Sequence, residues 1–80
     1  MTNTILRLPA VKNESGLSRS TIYLRIKQGL FPKPIRLGER AAGWPSSEVA
    51  AINAARIAGK SDDEIRVLVL KLEAARKSAR

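Results

Sequence analysis

The sequence of 80 residues contains no cysteine and no histidine. Without cysteine the chain forms neither disulfides nor thiolate metal sites. Without histidine it lacks the commonest general base and the commonest neutral metal ligand. These absences exclude a zinc module and a histidine-based hydrolase, and we expect neither a metal nor a cofactor.

Long apolar runs are missing as well. No segment reaches the ~18 consecutive apolar residues that span a bilayer. The start, Met1 to Thr4, lacks the basic and apolar regions of a secretion signal. We therefore expect a cytoplasmic protein with no membrane partner. We expect no enzyme and no small-molecule substrate, since the spacing assembles neither a nucleophile–base pair nor a phosphate-binding glycine loop.

Positive charge is what the sequence has in excess. Fifteen Lys and Arg stand against seven Asp and Glu, which gives a formal net charge of +8. On one small domain this predicts a positive potential over much of the surface. The candidate partners are nucleic acid, an anionic membrane and an acidic protein. A charge that serves only solubility is the fourth interpretation.

The first half of the chain predicts two short helices after a loose arm with an extended piece at Ile5–Arg7. The first helix is expected over Pro9–Glu14, because proline suits the first helical turn, and Ser15-Gly16 would end it. A second helix, Arg19–Gln28, would begin at the N-cap Ser18 and end at Gly29, which tolerates a left-handed conformation.

The second helix is amphipathic. Ile22 and Ile26 are four residues apart and form its buried stripe. The opposite face carries Ser20, Leu24 and Lys27, flanked by Thr21, Tyr23 and Gln28. Arg19 and Arg25 lie near the edges of the buried stripe, from which their long side chains can still reach solvent.

A small β-hairpin is expected to follow. Two prolines in Phe31-Pro32-Lys33-Pro34 force an extended path, and Phe31 is expected in the core. Two strand-like pieces, Ile35–Leu37 and Ala42–Trp44, flank a turn at Gly38–Ala41. The side chains expected to cover the helices are those of Ile35, Leu37 and Trp44, whereas those of Arg36 and Arg40 would point away.

Two more helices complete the prediction. The first starts with a serine cap at Pro45-Ser46-Ser47-Glu48, ends at Gly59 and turns Val49, Ile52 and Ile57 inward. Ser61 and Glu64 then form a capping box for a last helix over Asp62–Lys77. Its apolar side, Ile65, Leu68 and Leu72, either packs on the domain or mediates self-association. We divide the chain into a main domain, 1–59, and a C-terminal helix segment, 60–80.

The order helix, glycine turn, capped basic helix and basic hairpin is that of a winged helix-turn-helix. In such a domain the second helix enters the DNA major groove and its side chains meet base edges. Cations at the edges of the helix and on the hairpin would hold phosphates. The candidate DNA-binding residues are Ser18, Arg19, Ser20, Thr21, Tyr23, Leu24, Arg25, Lys27, Lys33, Arg36 and Arg40. Arg25 could instead pair with Glu14 or Glu48, and Tyr23 could lie against Phe31.

Several segments together resemble the AlpA family of small phage and prophage regulators. They are Leu17-Ser18-Arg19-Ser20-Thr21-Ile22-Tyr23, Phe31-Pro32-Lys33-Pro34, Leu37-Gly38, Arg40-Ala41 and Gly43-Trp44. The resemblance covers roughly residues 7–57. It implies a winged-helix domain related to MerR-like proteins and excisionases, and double-stranded DNA as the partner of the second helix and of the wing. It also implies transcriptional control, often of integrase or excision functions in mobile elements.

Three functional hypotheses remain open. The leading one is a sequence-specific transcriptional regulator, associated with the nucleoid when bound to DNA. The second is an excisionase-like architectural protein that bends DNA and recruits a recombinase through the same surface. The third is an adaptor that binds an acidic protein partner through the last helix.

Overall fold

The computed structural model describes residues 4–77. It is mainly helical with one small antiparallel sheet, as expected. Residues 1–3 of the predicted arm and residues 78–80 of the predicted C-terminal segment lie outside the described residues. The elements in chain order are β1 (Ile5–Leu6), α1 (Leu8–Ser15), α2 (Arg19–Lys27), β2 (Ile35–Gly38), β3 (Ala41–Pro45), α3 (Ser46–Ile57) and α4 (Asp62–Ala75).

The turn between α1 and α2 follows the local chemistry of its residues. Gly16 adopts a left-handed conformation with φ of 72°, and its N–H donates to the Lys12 carbonyl over 2.9 Å. The Ser18 hydroxyl then accepts from the Thr21 N–H at 3.3 Å and caps α2. These contacts confirm the predicted glycine break and the predicted N-cap.

The end of α2 is a Schellman motif. Gly29 has a φ of 78°, and the N–H of Leu30 donates to the Arg25 carbonyl at 2.8 Å. The Gly29 N–H donates to the Ile26 carbonyl at 3.1 Å. The predicted left-handed end is therefore confirmed, and it turns Leu30 and the following Phe31 into the core.

The sheet has the strand order β1-β3-β2, with both pairings antiparallel. The sequence predicts the β2–β3 hairpin and an extended piece near Ile5, but not the pairing of β1 with β3. In this pairing Ile5 lies opposite Pro45, and Leu6 lies opposite Trp44. The N-terminal arm therefore covers the outer edge of the hairpin.

Leu37 does not cover the helices, contrary to the prediction. Its side chain is 45% exposed. The register is irregular here: Arg36 pairs with Ala42 and Gly38 pairs with Ala41, so Leu37 is the extra residue of a bulge. Because a bulge interrupts the alternation of faces along a strand, counting every second residue fails at this position.

The core draws on α1, α2, β3, α3, α4 and the loop after α2. Phe31 and Trp44 form its centre, with ring centroids 6.2 Å apart in an edge-to-face arrangement. The buried Trp44 indole N–H donates to the Pro32 carbonyl at 2.9 Å. Their predicted burial is confirmed. The buried hydrophobic residues are Val11, Ile22, Leu30, Phe31, Trp44, Val49, Ile52, Ala55, Ile65 and Val69.

Helix α3 differs from the prediction at both ends. Its N-cap is Pro45 rather than a serine, because β3 runs directly into the helix. The Ser46 hydroxyl instead accepts from the Thr4 N–H at 3.2 Å. At the other end Ile57 is 87% exposed, so its predicted inward position is wrong. It is rotated by about 140° from Ile52 around the helix axis, and Ala55 takes the inner position.

Helix α4 packs its apolar side against the rest of the chain. Ile65 and Val69 are buried, and Leu68 and Leu72 are half-buried against the core. The packing alternative therefore describes this face, and the self-association predicted through Ile65 is wrong because no part of that side chain reaches the surface. The predicted capping box is confirmed by reciprocal hydrogen bonds between Ser61 and Glu64.

The C-terminal end of α4 is fixed by a clamp, which we define as Glu48, Arg76 and the backbone of Lys33. The guanidinium of Arg76 makes two hydrogen bonds to the Glu48 carboxylate, one of them 2.8 Å long from Nε to Oε2. Its Nη2 also donates to the Lys33 carbonyl at 2.7 Å. Glu48 is 5% exposed. The hydrogen bonds to this carboxylate raise the pKa of Arg76 above its ordinary value.

Replacing Arg76 by alanine should destabilise the protein strongly. Arg76→Ala leaves the buried Glu48 carboxylate without its counter-charge, which typically costs about 3–5 kcal/mol. Urea denaturation measures the loss. Arg56→Ala is the matched control, because it removes the more exposed Arg56–Asp62 pair and should cost less than about 1 kcal/mol. Equal losses in the two variants would contradict the role given to the clamp.

Gly43 is the second position that should be intolerant of a small change. A methyl group there would lie 2.5 Å from Ile5 Cγ2 and 3.0 Å from the Leu6 carbonyl oxygen. Gly43→Ala should push β1 away from β3 and cost about 1–3 kcal/mol in thermal or urea denaturation. Gly38→Ala is the control, since its methyl group would meet only Ala41 Cβ at 4.0 Å. A neutral Gly43→Ala would show that β1 is not closely packed.

Candidate nucleic-acid interface

The outward face of α2 carries a stripe of four side chains, the α2 stripe: Ser20, Tyr23, Leu24 and Lys27. Their spacing of i, i+3, i+4 and i+7 aligns them along one side of the helix. With Ile26 they line one shallow surface depression of about 470 Å³. Ile22, on the opposite side, is fully buried. Burial of that side fixes the rotation of α2 and therefore holds the stripe toward solvent.

Two members of the α2 stripe are large and exposed. Tyr23 is 42% exposed and Leu24 is 52% exposed, whereas most other large apolar side chains of α1 and α2 contribute to the core. The Arg19 guanidinium lies over the Tyr23 ring, 5.9 Å from its centroid. This cation–π contact keeps a positive charge beside the aromatic ring. Tyr23 is not stacked on Phe31, whose ring partner is Trp44.

The hairpin of β2 and β3, which we call the wing, forms a second group. Arg36 and Arg40 are exposed and line the same shallow depression of about 350 Å³ together with Glu39. Both arginines therefore border one depression of the wing. Arg7 is a nearby cation that the sequence reasoning did not single out, and its Nε donates to the Ala42 carbonyl at 3.2 Å. The position of Arg7 just before α1 is the only feature of the sequence that could have indicated this residue.

The remaining candidate residues line neither of these two depressions. Ser18 and Thr21 face each other at the start of α2, and their hydroxyls are 2.9 Å apart. Arg25 is half-buried in a groove of about 410 Å³ between α1, α2 and α3. Lys33 is exposed beside α4, where its backbone N–H donates to Glu73 Oε2 at 2.9 Å. Arg25 thus faces the groove toward α3, and the backbone of Lys33 is held by α4.

The distribution of charge differs between the halves of the chain. Residues 1–40 contain eight Lys and Arg and only two Glu, whereas residues 41–80 contain seven Lys and Arg and five acids. Within residues 4–77 the ion pairs are Arg56–Asp62, Arg66–Asp63 and Arg76–Glu48. All of them lie in or beside α3 and α4. The Glu48 carboxylate that Arg25 could have used is occupied by Arg76.

The cations of α2 and the wing are therefore not neutralised by carboxylates within the described part of the chain. Unpaired lysines and arginines on a small body attract a polyanion, and the hydroxyl, phenol and apolar groups of the α2 stripe suit the edges of bases. No helix within residues 4–77 has the length and apolar character needed to cross a membrane. The same residues contain no group of three or more acids that could hold a metal ion.

Comparison with known proteins agrees with this geometry. The family model described as prophage CP4-57 regulatory protein (AlpA) matches residues 4–56. The "Uncharacterized protein ORF88" of Enterobacteria phage P4 is 51% identical over 55 residues, which cover 69% of this chain and 62% of that protein. The "DNA-binding transcriptional activator AlpA" of Escherichia coli strain K12 is 43% identical over 51 residues, covering 56% of this chain and 73% of that protein. No solved structure matches the chain.

The matched region extends from the strand β1 to the last turn of α3, so it includes the α2 stripe and the wing. It stops before α4. The chain spans about three fifths of the length of its relative from phage P4. Since the family model covers well over half of the chain, the chain belongs to the AlpA family of prophage regulatory proteins.

Proposed function

We propose that the protein is a sequence-specific, DNA-binding transcriptional regulator of a phage or other mobile element. It acts in the cytoplasm, is associated with the nucleoid when bound, and performs no catalysis. The observation that carries this proposal is the α2 stripe. It is an exposed row of polar, aromatic and apolar side chains, held by a buried opposite face, on a half of the chain whose cations lack carboxylate partners within residues 4–77.

In this proposal the fold acts as a winged helix-turn-helix of the MerR-like type. α2 enters the major groove, where Ser20 and Tyr23 hydrogen-bond to base edges and Leu24 contacts a thymine methyl group. Lys27 and Arg19 hold phosphates at the edges of the groove. The capped start of α2, with Ser18 and Thr21, receives another phosphate. Residues 1–59 carry the DNA-binding surface, and residues 60–80 support it.

The wing contacts the DNA backbone in this arrangement. Arg36 and Arg40 line one depression of the hairpin, and Arg7 donates a hydrogen bond to β3. Such phosphate contacts position a protein on the duplex but carry no sequence information of their own. Arg25 and Lys33 have weaker support, because the first lies in the groove toward α3 and the second lies beside α4. We assign them peripheral phosphate contacts.

The name of the relative from Escherichia coli supports this function, since that protein is described as a DNA-binding transcriptional activator. An excisionase-like role would use the same residues to bend DNA and recruit a recombinase. A circular-permutation assay on the bound site separates the two, because only the architectural role requires a bend.

Selection from a random duplex library at about 150 mM salt tests the proposal, since at that ionic strength non-specific phosphate binding is weak. We expect one short motif to be enriched. Binding of a random duplex as tightly as any selected site would overturn the regulator proposal, because phosphate contacts alone would then account for the affinity. If the positive charge served only solubility, the protein would bind neither the selected duplex nor the random one.

Substitutions should separate the α2 stripe from the wing. Arg40→Ala should weaken binding by a similar factor on all sequences and lower the slope of log K against log salt by about 1. Tyr23→Ala and Ser20→Ala should change which base pairs are preferred. Fluorescence anisotropy on the selected site and on single-base variants measures both effects.

Lys60→Ala is the matched control for charge, since it removes an exposed cation that lies outside both groups. It should change affinity less than Arg40→Ala does. A change of preferred sequence in Arg40→Ala, together with unchanged preference in Tyr23→Ala, would reverse the roles given to the wing and the α2 stripe.

A further inference from the structure

Helix α4 has a second apolar face that nothing within residues 4–77 covers. Its inner face packs Ile65 and Val69 into the core. On the outer side Leu70 is 67% exposed, Val67 is 52% exposed and Ala74 is also exposed. We call Val67, Leu70 and Ala74 the outer stripe. It lies beyond the region that the family model matches, so its role does not follow from family membership.

The charges at the two ends of the outer stripe have opposite signs. Asp63 lies in α4, seven residues before Leu70 and on nearly the same side of the helix, and Lys77 lies seven residues after Leu70, in the turn that follows α4. Asp63 precedes the outer stripe and Lys77 follows it. The Asp63 side chain is 93% exposed even though it pairs with Arg66, so it is accessible to another molecule. Lys77 is exposed as well.

The pattern of charges along α4 is complementary to that of a second α4 helix that runs in the opposite direction. An antiparallel pair of α4 helices centred on Leu70 places Asp63 of each copy opposite Lys77 of the other. Val67 then approaches the partner's Ala74, whose small side chain allows the helices to come close. A parallel pair would instead place Asp63 opposite Asp63 and Lys77 opposite Lys77, which is unfavourable. We propose that a second copy of this chain covers the outer stripe in an antiparallel, two-fold symmetric helix pair.

The size of the contact sets its strength. From Asp63 to Ala75 the helix rises by about 18 Å, and a single helix pair of that length buries less than about 1,200 Å², at the low end of specific interfaces. The pair should therefore be weak in dilute solution. It should form readily when two copies bind neighbouring DNA sites, because the effective concentration is then high.

The consequence for DNA rests on the proposed function. A module of this size contacts only about 600–1,000 Å² of DNA, so pairing would supply affinity that one copy lacks. A two-fold symmetric contact relates the DNA-binding surfaces of the two copies by the same axis. The two half-sites on the DNA are therefore inverted repeats. The inference thus deepens the proposed function with a partner and an orientation of the sites.

Cysteine cross-linking tests the contact without DNA, and the natural chain has no cysteine to interfere. At high protein concentration under mild oxidation, Leu70→Cys should form a disulfide-linked dimer. Lys12→Cys, an exposed position on α1, is the control and should not. A mixture of Asp63→Cys and Lys77→Cys chains should give mainly the mixed dimer. Dimers of each variant with itself would overturn the antiparallel orientation.

A second experiment tests the role of the pair on DNA. Leu70→Glu should leave affinity for a single selected site unchanged and weaken binding to an inverted pair of sites by about tenfold or more. Ala54→Glu, the same charge change at an exposed position of α3, should affect neither. Circular dichroism verifies that both variants are folded.

The outcomes separate the two proposals. Cross-linking through Leu70 without any DNA binding would leave the helix pair standing and overturn the proposed function. Sequence-specific DNA binding without cross-linking, and with equal binding of Leu70→Glu and the natural chain to inverted sites, would overturn the helix pair. The outer stripe would then be left for a different protein partner.

Discussion

The buried ion pair between Glu48 and Arg76 is the contact on which the arrangement of the domain depends. Glu48 lies in the first turn of α3, where an acid suits the helix dipole. It is nevertheless almost fully buried, and a buried carboxylate without a counter-charge is costly. Arg76 supplies that charge from the other end of the chain. The C-terminal end of α4 is consequently tied to the start of α3.

The same clamp reaches the proposed DNA-binding surface. Arg76 and Glu73 hold both backbone groups of Lys33, and Arg66 donates from its Nε to the Gln28 carbonyl at 3.0 Å. These contacts fix the segment that leads from the end of α2 to the wing. Because α2 and the wing would have to contact one duplex together, a segment that is held at both ends limits their relative movement. α4 therefore supports the α2 stripe without belonging to it.

Most of the local chemistry was predictable from the sequence, whereas most contacts between distant residues were not. The cap at Ser18, the left-handed Gly29 and the capping box of Ser61 each depend on neighbours within a few residues, and all three are confirmed. The α2 stripe is also a local property, since helical spacing and one buried isoleucine determine it. The burial of Trp44 could be predicted from its size and apolar character.

Apart from the serine cap of α3 and the inward position of Ile57, the features that the sequence did not predict have a common physical origin. The pairing of β1 with β3 joins residues about forty positions apart, and no short motif encodes it. The bulge at Leu37 depends on how the two strands meet, and the partner of Glu48 is 28 residues away. The position of Arg25 in a groove likewise depends on packing against α1 and α3, while its phosphate contact stays a prediction.

Unequal pairing of charges connects the fold with the proposed function. In α3 and α4, arginines meet aspartates or glutamates within the chain, so these charges already have partners before any other molecule arrives. In α2 and the wing the cations have no such partner within residues 4–77, and repulsion among like charges on a small body disfavours the compact state. A duplex lying along both would relieve it by placing phosphates among them and releasing counterions. The half of the chain with unbalanced charge is also the half that the sequence alone identifies as a helix-turn-helix, so electrostatics and local structure independently indicate the same surface.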